Sequence, residues 1–324
     1  MPAIAVVIPC YKVVNHIVDV IGRIGPEVAR IYAVDDCCPE KSGDFIEQHI
    51  TDPRVRVLRH QTNLGVGGAV MTGYAAALED GMEVAVKVDG DGQMNPALIP
   101  HFIRPIVEGE ADYTKGNRFF DIDSLSQMPR SRLFGNACLS FLNKLSSGYW
   151  HVFDPTNGYT AIHCSVLAKL PLQKISKRYF FETDMLFRLN TIRAAVVDIG
   201  MDARYDAEIS NLKISKVIPE FAAKHLRNCL KRIFYNYYLR DLSLASFQLP
   251  LGIAMTSFGV LYGGYHWMQS SSQNVLSPSG TVTLSAVSII LGVQFLLAFL
   301  AQDIAAVPNR PLSRYVDRSK DGDI

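Results

Sequence analysis

The sequence has almost no charge imbalance: 32 basic against 31 acidic residues leave +1 over 324 positions, which removes any whole-chain argument for nucleic-acid binding. It also has no CxxC pair. The six cysteines are scattered, and Cys37 and Cys38 are too close for an easy disulfide or a paired zinc site, so reduced packing residues are expected. The opening "AIAVVIP" lacks a basic n-region and a small-residue cleavage site, and no signal peptide is expected. An EF-hand is excluded too: a loop read from Asp89 needs Asp or Asn, Gly and Glu where Gln93, Met94 and Pro100 stand.

Two stretches lack charge of either sign, Leu242 to Trp267 and Thr281 to Gln302, runs of about 26 and about 22 residues. Each is long enough to cross a hydrocarbon core, which takes roughly 20 helical residues. The connecting "QSSSQNVLSPSG" is uncharged, whereas "LRNCLKRIFYNYYLRD" and "PNRPLSRYVDRSK" on the outer flanks are basic. By the positive-inside rule both flanks are expected in the cytoplasm, together with residues 1 to about 240. Lys213 to Arg240 holds seven basic residues and one acid, Glu220, with Phe221, Leu226, Cys229, Ile233 and Tyr237 near helical spacing. This pattern predicts an amphipathic helix on the inner leaflet, with membrane lipids as partners.

What the remaining chain does have is alternation. Strands are expected at 4–9, 30–36, 55–60, 83–89 and 111–117, with helices near 15–24, 42–50, 66–80 and 96–108. The strand runs are continuously apolar, which predicts an α/β fold with a mainly parallel sheet covered on both faces. Ligands in such sheets bind at the carboxyl ends of the strands, where Asp35, Asp36, Asn63, Asp89 and Asp91 fall. "NLGVGGA" opens a helix but misses the GxGxxG spacing, so its glycines serve either ligand approach or tight packing. In "VKVDGDGQMNP", two carboxylates one glycine apart follow a buried strand, and hard-oxygen donors so placed suit Mg2+ or Mn2+ carrying a diphosphate.

The segments "VVIPCYK", "AVDDCCPEKSG", "NLGVGGAVMTGY", "VKVDGDGQMNP", "TKGNRF", "DPTNGYTA" and "FFETDML" stand in the order found in family 2 glycosyltransferases with the GT-A fold. With its C-terminal apolar pair the chain most resembles the polyprenyl-phosphate glycosyltransferases, the group of dolichol-phosphate mannose synthases and bactoprenol glucosyltransferases. The resemblance covers about residues 4 to 215. It implies a GT-A catalytic domain over 1–212, a juxtamembrane helix over 213–241, two transmembrane helices over 242–303 and a cytoplasmic tail over 304–324.

The roles that the resemblance implies are carried by single residues. Pro9, Tyr11, Asp35 and Asp36 would hold the nucleoside, and Asp89 and Asp91 the metal, Asp89 also serving the nucleotide. Asp154, Glu182 and Asp184 are candidates for positioning or deprotonating the acceptor; because Glu182 and Asp184 are two apart on a helix and cannot face one point, Asp154 and Asp184 are favoured. Arg118 and Arg132 would hold the acceptor phosphate. Lys12-Val13-Val14 after the first-loop tyrosine, and "VDDCCPEKS" without a glycine-serine turn, depart from the family pattern. Trp150 and Trp267 are the only tryptophans and neither follows Arg, so the QxxRW signature of processive synthases is missing and single-sugar transfer is expected.

The expected activity is thus inverting transfer of one sugar from a UDP-glucose-like or GDP-mannose-like donor to a polyprenyl phosphate at the cytoplasmic face. The alternatives are another membrane acceptor, or a catalytically silent nucleotide-sugar-binding subunit. A homo-oligomer is left open.

Overall fold

The computed structural model of the chain describes residues 2–119, 130–201 and 214–316, without the side chains of 130–134 and 214–218. It divides into two compact units, Met1–Cys229 with Pro308–Ile324, and Leu230–Val307.

The first unit is built on a seven-stranded sheet in the order β3-β2-β1-β4-β6-β5-β7. The strands are β1 (Ile4–Cys10), β2 (Val28–Asp35), β3 (Val55–Arg59), β4 (Val84–Lys87), β5 (Tyr113–Asn117), β6 (Thr160–His163) and β7 (Val196–Gly200). Only β6 runs against its neighbours, pairing antiparallel with β4 and β5. The first five strands lie where their apolar runs predict them. β1 is buried along almost its whole length, as a strand with helices on both sides must be.

Helices α1 (Ile17–Gly22), α2 (Ser42–His49), α3 (Val66–Glu79), α4 (Ile99–Val107), α5 (Arg130–Ser147) and α6 (Phe181–Thr191) surround the sheet. Successive strand residues point to opposite faces, and β6 reveals which helix covers which. Tyr159, just before the strand, stacks on Phe102 of α4 at 4.0 Å between ring centroids. Thr160 turns the other way, toward Tyr74 of α3. The core between the sheet and α1 and α4 is built from Val6, Ile8, Ile17, Val86, Phe102 and Ile106 among others. Each such side chain contributes about 1.5–3 kcal/mol when fully buried.

Helices α5 and α7 (Ile214–Phe234) invert the usual pattern. On α5 the polar Ser140, Asn143, Ser146 and Ser147 are buried while Phe141 and Leu142 are exposed. On α7 His225, Asn228 and Arg232 are buried while Leu226, Leu230 and Phe234 stand outward. The outward apolar set is therefore shifted from the one read in the sequence. Tyr237, counted there among its members, is buried in the π-helical turn Tyr235–Arg240.

His225 accepts or donates a 2.8 Å bond between its Nδ1 and Ser146 Oγ, with the Phe180 ring edge-on at 5.0 Å. Burial pushes its pKa down from 6.5 to about 4. Between these values the unfolded chain binds the extra proton and the folded chain does not, so stability falls as pH drops from 6.5 toward 4. The full loss is on the order of 3 kcal/mol. Urea midpoints measured at pH 7 and pH 4.5 should differ less in His225→Gln than in wild type; an identical acid dependence would refute the assignment.

Residues 308–316 return to the first unit and are tied there. Leu312 N–H and Ser313 N–H donate to the two carboxylate oxygens of Asp112 at 2.7 and 2.8 Å, and Ala195 N–H donates to one of the same oxygens at 2.8 Å. Asp112 is completely buried.

The second unit holds two long helices, α8 (Leu244–Ser272) and α9 (Ser279–Ala305), both long and apolar enough to cross a membrane. They approach closely at glycines: a Cβ on Gly252 would lie 2.9 Å from Leu296, and one on Gly292 would meet Thr256. Asp303, near the end of α9, is held bidentately by Arg232 at 2.6 and 3.0 Å and by Tyr237 Oη at 2.8 Å.

Candidate active site

The carboxyl ends of β1, β2 and β4 bring the predicted aspartates to one rim, where they divide into two kinds. Asp35 and Asp36 shape loops. Asp35 accepts the N–H groups of Cys38 and Gly43, both at 2.7 Å, which closes the turn into α2. Asp36 accepts those of Leu64 and Gly65 at 2.8 and 2.7 Å and meets His60 Nδ1 at 2.7 Å, which fixes the loop after β3. Pro9 lies within β1, and Tyr11 just beyond it is exposed.

The glycines of "NLGVGG" pack against protein. A Cβ on Gly65 would stand 2.7 Å from Lys177 O and one on Gly67 2.5 Å from Ser176 O, and Gly65 sits at φ +88°. Of the two uses open from the sequence, close approach of a neighbouring loop is the one the contacts display.

Asp89 and Asp91 flank buried Gly90 on the turn after β4 and are both half-buried. Asp91 Oδ1 accepts the Gln93 N–H at 3.0 Å, and the next residue, Gly92, has φ +82°, a backbone that other residues rarely adopt. No cluster of three His, Cys, Asp or Glu residues suited to a metal occurs among the described residues. Two carboxylates on one turn nevertheless fit Mg2+ or Mn2+, which usually takes one or two protein carboxylates and fills its shell with phosphate oxygens and water.

Beneath this turn lies a polar row that sequence reading missed. Lys87 of β4 is paired with Thr160 of β6, Thr160 with Lys115 of β5, and Lys115 with Asp198 of β7. Lys87 Nζ is 2.7 Å from Asp89 Oδ1 and 3.9 Å from Glu182 Oε1. Lys115 Nζ donates to Asn157 O. Burial lowers the Lys115 pKa to about 8 despite neighbouring Glu182 and Asp154, and raises that of Glu182 to about 7 against the pull of Lys87 and Lys115. The single available signal was Lys87, a charge closing the apolar run of β4.

The structure gives Asp184 and Glu182 different partners. Asp184 turns away from the rim: it accepts the Ser176 N–H at 2.9 Å and Asn228 Nδ2 at 3.1 Å, and Arg188 lies 3.5 Å off. It joins α6 to α7. Glu182 is the one that reaches Lys87 beside Asp89. Both lie in the first turn of α6, and the rotation of the helix, which no local pattern fixes, decides between them.

Asp154 is buried, with both oxygens occupied by Arg118: Nε to Oδ2 at 2.8 Å and Nη2 to Oδ1 at 3.0 Å. Burial alone would raise its pKa, but the Arg118 hydrogen bonds and charge, with Lys115, hold it below the usual carboxylate range. An acid so engaged is a poor base. Its geometry is that of a holder for Arg118, whose side chain stays 29 % exposed. The side chain of Arg132 lies outside the described residues.

Comparison with known proteins agrees with this fold. An undecaprenyl-phosphate mannosyltransferase of Micrococcus luteus is 30% identical over 197 residues, 60% of this chain and 80% of the relative. A UDP-N-acetylglucosamine–dolichyl-phosphate N-acetylglucosaminyltransferase of Methanococcus voltae is 38% identical over 126 residues, 39% of this chain and 50% of the relative. Among solved structures, glucosyl-3-phosphoglycerate synthase from Mycobacterium tuberculosis in complex with UDP superposes with a TM-score of 0.55 at 19% identity, over 70% of this chain and 80% of that one, a likeness of fold. Residues 5–171 match the family described as glycosyl transferase family 2, and the chain belongs to that family.

Proposed function

We propose that this glycosyltransferase moves a single sugar from a UDP- or GDP-sugar to a polyprenyl phosphate, with inversion, from the cytoplasmic side of a membrane. The observation that carries the reading is the pairing of two opposite devices on one rim: the Asp89-Asp91 turn, suited to a cation, and Arg118 held in a fixed fork by buried Asp154. The relatives named for undecaprenyl, polyprenol and dolichol phosphates support the acceptor class.

Asp89 and Asp91, with Gln93 on the same turn, would hold Mg2+ or Mn2+. When bound, the ion neutralises charge on the leaving nucleoside diphosphate. Pro9 and Tyr11 would border the nucleoside, with Asp35 and Asp36 keeping its loops in shape. The acceptor phosphate is already anionic near neutral pH and needs placement more than deprotonation. Arg118 supplies a planar donor edge for it, and Asp154 fixes the orientation of that edge. Arg132 is proposed as the second acceptor cation. The N-terminal 212 residues form the catalytic part, 213–241 the juxtamembrane helix, 242–303 the spans and 304–324 the tail. The exposed Leu226, Leu230 and Phe234 support contact of α7 with lipid, and the return of 308–316 to the catalytic unit supports a hairpin entering and leaving on one side.

The test is radiolabelled sugar transfer by the full-length protein in detergent, with polyprenyl phosphate or a neutral polyprenol as acceptor. Arg118→Lys keeps the charge beside Asp154 but loses the fork, and should lower transfer to the phosphate about 10- to 100-fold with donor binding retained. Equal use of the neutral alcohol would reject the acceptor, and absence of transfer from any UDP- or GDP-sugar would reject the enzyme reading.

A further inference from the structure

Lys87 is only 1% exposed, and the structure gives it no apolar reason to be lysine. Its ammonium lies between Asp89 Oδ1 at 2.7 Å and Glu182 Oε1 at 3.9 Å, with the Phe181 ring centroid at 5.4 Å. Room for it is made by Gly158 of the "DPTNGY" turn. A Cβ there would overlap Lys87 Nζ and come within 2.8 Å of Asp89 Oδ2. Withdrawing an ammonium from water is costly, and a methionine of similar length would fill the same space without that cost. Asp89 does not depend on a buried partner either, since its side chain is 26% exposed. The gain from Lys87 is therefore sought in the field it sets up at the rim.

A fixed positive charge under Asp89 acts in opposite directions on the two ligands expected there. It repels a bare divalent cation and attracts a bare diphosphate. Glu182, 3.9 Å from the ammonium, moderates both effects. Once cation and diphosphate are bound together their charges largely offset each other, and the field matters least.

We propose that Lys87 selects the loading state of the site: it suppresses occupation by a divalent cation alone and favours entry of the nucleoside diphosphate moiety, so that metal and nucleotide are held mainly as a pair. The inference rests on the metal and nucleotide roles proposed above. Lys87 is a positioning residue in this scheme, acting through Asp89 and through space.

The experiment uses the full-length protein in detergent at pH 8, above the value of about 7 to which burial raises Glu182. Three affinities are measured: Mn2+ alone by electron paramagnetic resonance, UDP or GDP alone with EDTA by equilibrium dialysis, and the nucleotide with saturating Mn2+. Lys87→Met should tighten Mn2+ alone and weaken metal-free nucleotide, each on the order of five- to tenfold, and change the paired state least. Glu182→Gln should move both single affinities the other way. A purely structural role would weaken all three together, and that result overturns the proposal, as do single affinities within twofold of wild type in both variants. If the wild-type protein binds no Mn2+ even with UDP or GDP, the metal role itself falls and the lysine role with it; normal paired binding with unmoved single affinities removes the lysine role alone.

Discussion

Asp91→Asn is expected to lower sugar transfer by about 10²- to 10³-fold while leaving the protein folded. The folded half of this expectation follows from what Asp91 does within its turn. Its Oδ1 accepts the Gln93 N–H at 3.0 Å, and an asparagine carbonyl oxygen can accept the same bond. Gly92, whose positive φ sets the turn, is untouched. The lost half is charge. An amide is a weak ligand for a hard dication, and with Asp89 already engaged by Lys87 the variant retains little negative charge to hold one. Product should be followed to completion at high enzyme concentration, with far-ultraviolet circular dichroism as the control for folding. Turnover within threefold of wild type, unaffected by EDTA, would end the case for a cation at this turn.

The second large effect concerns stability. Asp112→Ala should destabilise the catalytic unit by about 3–5 kcal/mol, because it leaves the N–H groups of Ala195, Leu312 and Ser313 without their acceptor, at about 1–3 kcal/mol for each donor that stays buried. In a unit of this size that corresponds to a fall in Tm of roughly 10 °C. Asp112→Asn, which keeps one acceptor oxygen, should fall between. The same variants should expose residues 308–316 to protease. A Tm within about 2 °C of wild type, with unchanged protease resistance, would show that the tail is not secured through Asp112.

The legibility of this chain followed the range of its interactions. β1, β2 and β4 could be read because each is an apolar run closed by turn residues, and the Asp89-Asp91 pair because both carboxylates sit on one turn. β6 and β7 escaped notice: they are short, and Thr160 and Asp198 interrupt the apolar signal at the positions where the polar row crosses the sheet. Helix α5 was hidden for a related reason, since its buried face is Ser140, Asn143, Ser146 and Ser147 and its exposed face carries phenylalanine and leucine. Periodicity assumes apolar residues inside. The partnership of Arg118 with Asp154 joins positions 36 apart, and that of Asp112 with Leu312 joins positions 200 apart. Neither has a local pattern. Lys87 could have been suspected as a charge in a buried strand, but its direction toward Asp89 depends on the space left by Gly158.

The anchoring of 311–313 on Asp112 also sets an order of assembly. Leu312 and Ser313 follow α9 in the chain, so the ribosome makes them after both apolar helices. Until then, of its three backbone donors, Asp112 has only the Ala195 N–H, and the β5-β7 side of the sheet waits with a carboxylate it cannot yet bury at full satisfaction. The first unit is begun first and completed last, with synthesis of the two apolar helices in between. A nascent chain arrested before residue 311 would leave Asp112 without two of its three backbone donors, which ties completion of the first unit to synthesis of the second.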